Sequence, residues 1–177
     1  MSIPELHTAR LTLRPHTLAD FEDSAALWGD AEVTRHIGGR PFSREEVWSR
    51  LLRYVGHWSA LGYGYWCVRE RDGGRFVGEL GFADLQRALE PAFEGAPEIG
   101  WALSPTAQGR GLAHEAVSAA MAWGDAHFDR ARTVCLIAPD NARSIRLAER
   151  LGYRRYASTT YKDSPTVLFE RLPEAIP

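Results

Sequence analysis

Gly109 and Gly111, separated by one residue, sit between two stretches of different period. Before them, Ile99, Trp101 and Leu103 alternate with Gly100 and Ala102, as in a strand. After them, Leu112, Ala113, Ala116, Val117, Ala120 and Trp123 recur at helical spacing. Pro105 ends the strand, because it lacks an amide hydrogen and disfavours helix at Ser104. A helix start leaves about four backbone amides without internal partners and carries roughly half a positive charge. Two glycines keep side chains away from those amides, so a diphosphate can approach them closely. The dinucleotide pattern would need a third glycine and a downstream acid. The Walker pattern would need Gly-Lys-Ser/Thr, and Lys162 is the only lysine of the chain. The bland alternative is a glycine-rich turn and nothing more.

Two carboxylates stand where carboxylates are uncommon. Glu79 lies inside FVGELGF, and Glu98 opens EIGWAL. Their structural reading is a salt-bridged or edge-exposed side chain. Cys67 and Cys135 lie in apolar, strand-like settings, which suits two buried reduced thiols. No Cys/His spacing suits zinc, so no metal is expected.

The elements that must position these groups follow from the rest of the chain. Its 177 residues suit one domain, expected over 1–177. A net charge of −2 gives no global attraction to nucleic acid. No apolar run approaches the roughly 20 residues that span a bilayer. The N-terminus lacks the apolar core of a signal peptide, so a cytoplasmic location is expected. RLTLRP (10–15) reads as a strand. Thr17 caps a first helix with Asp20 at its third position, carrying Phe21, Ala25 and Trp28. Residues 30–41 read as a loop. Ser43 and Glu46 form a capping box opening a second helix with Val47, Leu51, Tyr54, Val55 and Trp58 on one face. Strands follow over 63–70 and 75–85, joined by a turn at Asp72-Gly73-Gly74. Residues 86–97 form a longer loop. After the central strand and helix, 132–139 reads as a strand. Asn141 caps a short helix that Gly152 ends, and two strands close the chain.

Gln108, Gly111 and Ala113 fill the fixed positions of Gln/Arg-x-x-Gly-x-Gly/Ala, and NARSIRLAERLGY (141–153) follows about 30 residues later. These motifs, in this order of elements, resemble the GNAT superfamily of acyl-CoA-dependent N-acyltransferases over essentially the whole chain. TARLTLRP and EIGWAL look most like the branch with the ribosomal-protein N-terminal acetyltransferases. The resemblance implies an α+β (mixed α/β) fold: a central, mostly antiparallel sheet splayed between strands 4 and 5 of this reading (98–103 and 132–139), flanked by about four helices. It implies acetyl-CoA as acyl donor and direct transfer in a ternary complex.

By the same resemblance, the backbone of Trp101, Ala102 and Leu103 lines the pantetheine arm like an added strand. One of its amides stabilises the oxyanion. The turn from Gln108 through Gly109, Arg110, Gly111 and Leu112 to Ala113 takes the diphosphate, with Arg110 adding charge. Asn141 touches the pantetheine, and Ser144 relays a proton to the leaving thiolate. Many members use a tyrosine four residues beyond Ser144; here that residue is Ala148. Ser144, a water or no acid therefore stay open, since a thiol with pKa near 8.5 leaves readily. Glu98 and Glu79 are the candidate bases for the amine, directly or through water. His36, Tyr63 and Tyr65 are the candidate acceptor residues, with the 86–97 loop beside them. The expected partners are a small-molecule amine or a protein N-terminus, with a homodimer allowed, and neither nucleic acid nor membrane. The rival readings are a non-catalytic acyl-CoA sensor and a generic mononucleotide binder.

Overall fold

The computed structural model describes residues 3–172. Its strands are β1 (Leu6–His7), β2 (Leu11–Pro15), β3 (Tyr65–Glu70), β4 (Phe76–Ala83), β5 (Glu98–Leu103), β6 (Thr133–Ile137), β7 (Arg154–Tyr161) and β8 (Ser164–Arg171). Its helices are α1 (Phe21–Trp28), α2 (Ala31–Thr34), α3 (Arg44–Leu61), α4 (Leu112–His127) and α5 (Ala142–Arg150). Hydrogen bonding orders the strands β1-β2-β3-β4-β5-β6-β8-β7 in a mostly antiparallel sheet. The chain divides into two compact units, Met1–Gly81 with Trp101–Ala120, and Phe82–Gly100 with Met121–Pro177.

In the first unit β1, β2, β3 and β4 pair antiparallel in sequence order, with Leu13 opposite Val68 and Val68 opposite Gly78. Leu11, Leu13, Trp66, Val68 and Leu80 are buried on one face, and Cys67 and Glu79 are buried on the other, so β3 and β4 are covered on both sides. Gly78 is forced by packing. A β-carbon there would run into the carbonyl of Ala102 on β5. Ser104 N donates to Val77 O (2.9 Å), so β5 ends against β4.

α3 forms as the capping box predicts. Ser43 Oγ accepts from Glu46 N (3.2 Å) and Glu46 Oε2 accepts from Ser43 N (2.8 Å). It buries Val47, Leu51, Tyr54 and Trp58 but leaves Val55 exposed, because that residue falls on the rim of the stripe. Three local expectations change. Thr17 and Asp20 do form a capping box, but it opens a 3-10 turn over Leu18–Asp20, and α1 starts only at Phe21. The expected 30–41 loop contains α2, because the Asp30 carboxylate accepts from the amides of Glu32 and Val33. β1 precedes the first strand expected.

In the second unit β5 and β6 run parallel through the register pair Glu98↔Val134, with Val134 N donating to Pro97 O (3.1 Å). β6 pairs antiparallel with β8 along its length, and β8 with β7. Lys162 and Asp163 (φ 48° and 62°) make the two-residue turn between β7 and β8. Asn141 Oδ1 caps α5 by accepting from Ser144 N (3.2 Å). Gly152 (φ 87°) ends that helix: Tyr153 N donates to Ala148 O and Gly152 N to Glu149 O.

Candidate active site

The glycine turn lies wholly in the first unit. A 3-10 turn over Pro105–Ala107 leads into Gln108, whose amide donates to Pro105 O (3.2 Å). Gly109 and Gly111 then take left-handed φ of 75° and 76°. A β-carbon at Gly109 would meet nothing within 4 Å, and one at Gly111 only Arg10 Nη2 at 3.6 Å. These glycines are required by conformation rather than by crowding, and the space beside the turn is open. Glu115 N donates to Gly111 O (3.2 Å), so the amides of Leu112, Ala113 and His114 come before that helical bond. An open turn ending in helix-start amides suits a diphosphate.

The turn is braced by side chains that sequence reasoning missed. Arg10 Nη1 donates to Arg110 O (3.0 Å). Arg10 also holds Glu115, and Thr8 Oγ1 donates to the same carboxylate (2.6 Å). Burial works against the charge of Glu115, but the bonds from Thr8 and Arg10 outweigh it and hold its carboxyl below the ordinary value. Arg110 is exposed, and its guanidinium pairs with Glu70 (2.5 Å). Arg10 and Glu115 are 105 residues apart, so no local pattern joins them.

Glu79 is fully buried in the first unit. Ser24 Oγ donates to its Oε1 (2.5 Å) and Trp28 Nε1 to its Oε2 (2.7 Å). His16 Nε2 lies 3.5 Å from Oε1, too far for a good hydrogen bond. Burial opposes the charge of Glu79, yet His16, Ser24 and Trp28 together hold its carboxyl below the usual value. His16 Nδ1 in turn lies 3.3 Å from Tyr65 O, which also accepts from Trp58 Nε1 (3.0 Å). The Tyr65 ring stacks on Tyr54 at 4.6 Å. His16 thus lies between two of the expected residues, Glu79 and Tyr65. Tyr63 is half-buried between α3 and β3, and His36 is half-buried in the turns after α2. In the same unit, Ala102 is buried on β5 between the half-buried Trp101 and Leu103.

The second unit holds Glu98, Asn141 and Ser144. Glu98 is buried and bound by Arg87 through both oxygens. Burial opposes the charge of Arg87, but the bonds to Glu98 prevail and raise its pKa. The Arg87 guanidinium also lies 5.2 Å over the ring of Tyr161. Arg87 and Glu98 line a cavity of about 240 Å³ with Asp84, Phe93 and Glu94. Asn141 and Ser144 are both half-buried and are brought together by the cap, while Ala148 is buried beneath them on α5. Cys135, on β6, is buried and free, and burial first of all pushes its thiol well up. Among the described residues, no three His, Cys, Asp or Glu gather as a metal site. Among the same residues, no helix is long and apolar enough to cross a membrane.

Comparison with known proteins places this arrangement. The family model for the acetyltransferase (GNAT) domain matches residues 10–154. A solved GNAT-family protein from Bordetella pertussis is 36% identical, with a TM-score of 0.84, over 95% of this chain and 99% of that one. The uncharacterized N-acetyltransferase p20 of Bacillus licheniformis is 28% identical over 153 residues, 85% of this chain and 82% of that protein. RimL, a ribosomal-protein α-N-acetyltransferase solved in complex with coenzyme A, has a TM-score of 0.78 over 96% of this chain and 98% of that one. At 17% identity that likeness is one of fold. The class is therefore the acyltransferases, with the mixed α/β GNAT fold. The chain belongs to the GNAT acetyltransferase family and is an acetyl-CoA-dependent acetyltransferase.

Proposed function

We propose that this protein transfers the acetyl group of acetyl-CoA to a primary amine, either a protein N-terminal α-amine or a small-molecule amine, by direct attack in a ternary complex. The observation that carries the donor side is the open turn at Gly109 and Gly111, with left-handed φ at both glycines and helix-start amides behind them. In this reading the amides from Gly109 to Ala113 hold the diphosphate, and Gln108 sets the entry to the turn. Arg110 contributes charge shared with Glu70. The backbone of Trp101, Ala102 and Leu103 lines the pantetheine arm, and one amide there meets the thioester oxygen as negative charge develops on it. Asn141 touches the arm as well as capping α5. The two compact units act together as one domain, which the span of the family match across both supports.

The amine attacks as its neutral form. A nitrogen–carbon bond forms, the carbon–sulfur bond breaks, and the amine proton must leave. Glu98 suits that task through a water: Arg87 occupies two acceptor positions of its carboxylate and leaves about two more. Glu79 is the second candidate, but its surroundings favour holding α1 and His16 in place. Ser144 or a water protonates the thiolate if anything does. His36, Tyr63 and Tyr65 are assigned to the acceptor side. An acetyl-CoA user of this kind belongs in the cytoplasm.

The second reading, an acyl-CoA sensor without catalysis, draws on one observation, the buried Ala148 where many members carry a tyrosine. Incubation with acetyl-CoA and an amine panel that includes N-terminal peptides, followed by free-thiol detection, separates the two. Amine-dependent thiol release supports transfer. CoA binding without release across the panel supports the sensor.

A further inference from the structure

We infer that Arg10 is a positioning residue for the acetyl-CoA diphosphate, acting through the peptide group between Arg110 and Gly111. The inference rests on the acyl-transfer reading above and concerns how the turn is held. Arg10 makes a fork that reaches both α4 and the turn. Its Nε donates to Glu115 Oε2 (2.7 Å), its Nη2 pairs with the same oxygen (2.6 Å), and its Nη1 donates to Arg110 O (3.0 Å). Its backbone amide donates to Glu115 Oε1 (2.9 Å). Arg10 is itself anchored, since its carbonyl accepts from Arg71 N (2.8 Å).

In a trans peptide the carbonyl and the following N–H point in opposite directions. Pinning Arg110 O on one side therefore aims the Gly111 N–H to the other. Without a pin this peptide group is poorly determined, because glycine accepts both signs of φ. A donor that is already aimed costs less ordering when its ligand arrives. Arg10 also neutralises Glu115. A carboxylate in the first turn of α4 suits the helix dipole but would repel a diphosphate. Lysine could supply the charge, but not the fork that reaches both groups.

The test compares CoA with S-acetylpantetheine, which lacks the diphosphate. Arg10→Ala is expected to weaken CoA binding by about tenfold or more in calorimetry and to raise KM for acetyl-CoA to match. Turnover at saturating acetyl-CoA, and kcat/KM with S-acetylpantetheine, should fall by less than about twofold; the latter also reports that the variant is folded. Arg10→Lys is expected to recover only part of the loss. Unchanged CoA affinity in Arg10→Ala, an equal loss with S-acetylpantetheine, or full recovery by Arg10→Lys would each overturn the positioning role alone. Wild-type protein that binds no CoA would overturn the acyl-transfer reading and this inference with it.

Discussion

Arg87 grips Glu98 through both carboxylate oxygens, Nε to Oε2 at 2.7 Å and Nη2 to Oε1 at 2.8 Å. The pair fixes the orientation of the carboxylate at the start of β5 and keeps its outer lone pairs available. Replacing Glu98 by Gln keeps the shape and removes the charge. If Glu98 takes the amine proton through water, Glu98→Gln lowers kcat/KM by about a hundredfold near pH 6. The deficit shrinks as pH approaches the amine's own pKa, about 8 for an α-amine. A pH–rate profile measured for both proteins checks this; parallel profiles would remove Glu98 from the mechanism.

Glu79 should behave as a structural carboxylate. Both of its oxygens face donors, Ser24 Oγ and Trp28 Nε1. In Glu79→Gln one of those donors meets an NH2 group instead. A stability loss of about 2–4 kcal/mol is expected in urea unfolding. A variant as stable as wild type, but with a shifted pH–rate profile, would make Glu79 the base instead.

The turn itself is testable at Gly111. An L-residue at φ 76° costs about 1–2 kcal/mol, and the added carbon meets only Arg10 Nη2 at 3.6 Å. Gly111→Ala is therefore expected to fold, to lose stability of about that size, and to bind CoA about tenfold less tightly as the amides reorient. Thermal melts and calorimetry measure both effects. A variant with unchanged CoA affinity would separate this turn from the binding site.

Acid stability should depend on Asp20, which is almost wholly buried between Arg14 and Arg69. Burial opposes its charge, but the bonds from both arginines prevail and lower its pKa far below the usual carboxylate value. Its contribution is therefore full above the unfolded value of about 3.9 and is lost as pH falls through the lower folded value. Unfolding free energies measured from pH 7 downward should fall below about pH 4, and Asp20→Asn should flatten that fall while costing stability at pH 7. An equally steep fall in the variant would place the acid sensitivity elsewhere.

Local chemistry made most of the frame legible from the sequence. Ser43 with Glu46, Asn141 with Gly152, and Pro105 before Gly109 each act on neighbours within a few residues, so type and spacing suffice. α2 was hidden because Asp30 caps only four residues, too few to show a period. β1 has two residues and therefore no alternation to read. At the site, the turn and its glycines were visible, whereas the bracing was not. Arg10, Glu70, Arg87 and Ser24 act by pairing with residues brought near by folding, and an exposed-looking arginine carries no mark of its partner.

The most direct measurement is a crystal structure of the protein with CoA bound. The account predicts diphosphate oxygens accepting hydrogen bonds of about 2.7–3.2 Å from backbone amides between Gly109 and Ala113. Electron density that places the diphosphate on another part of the protein, with none of those amides in contact, would contradict it.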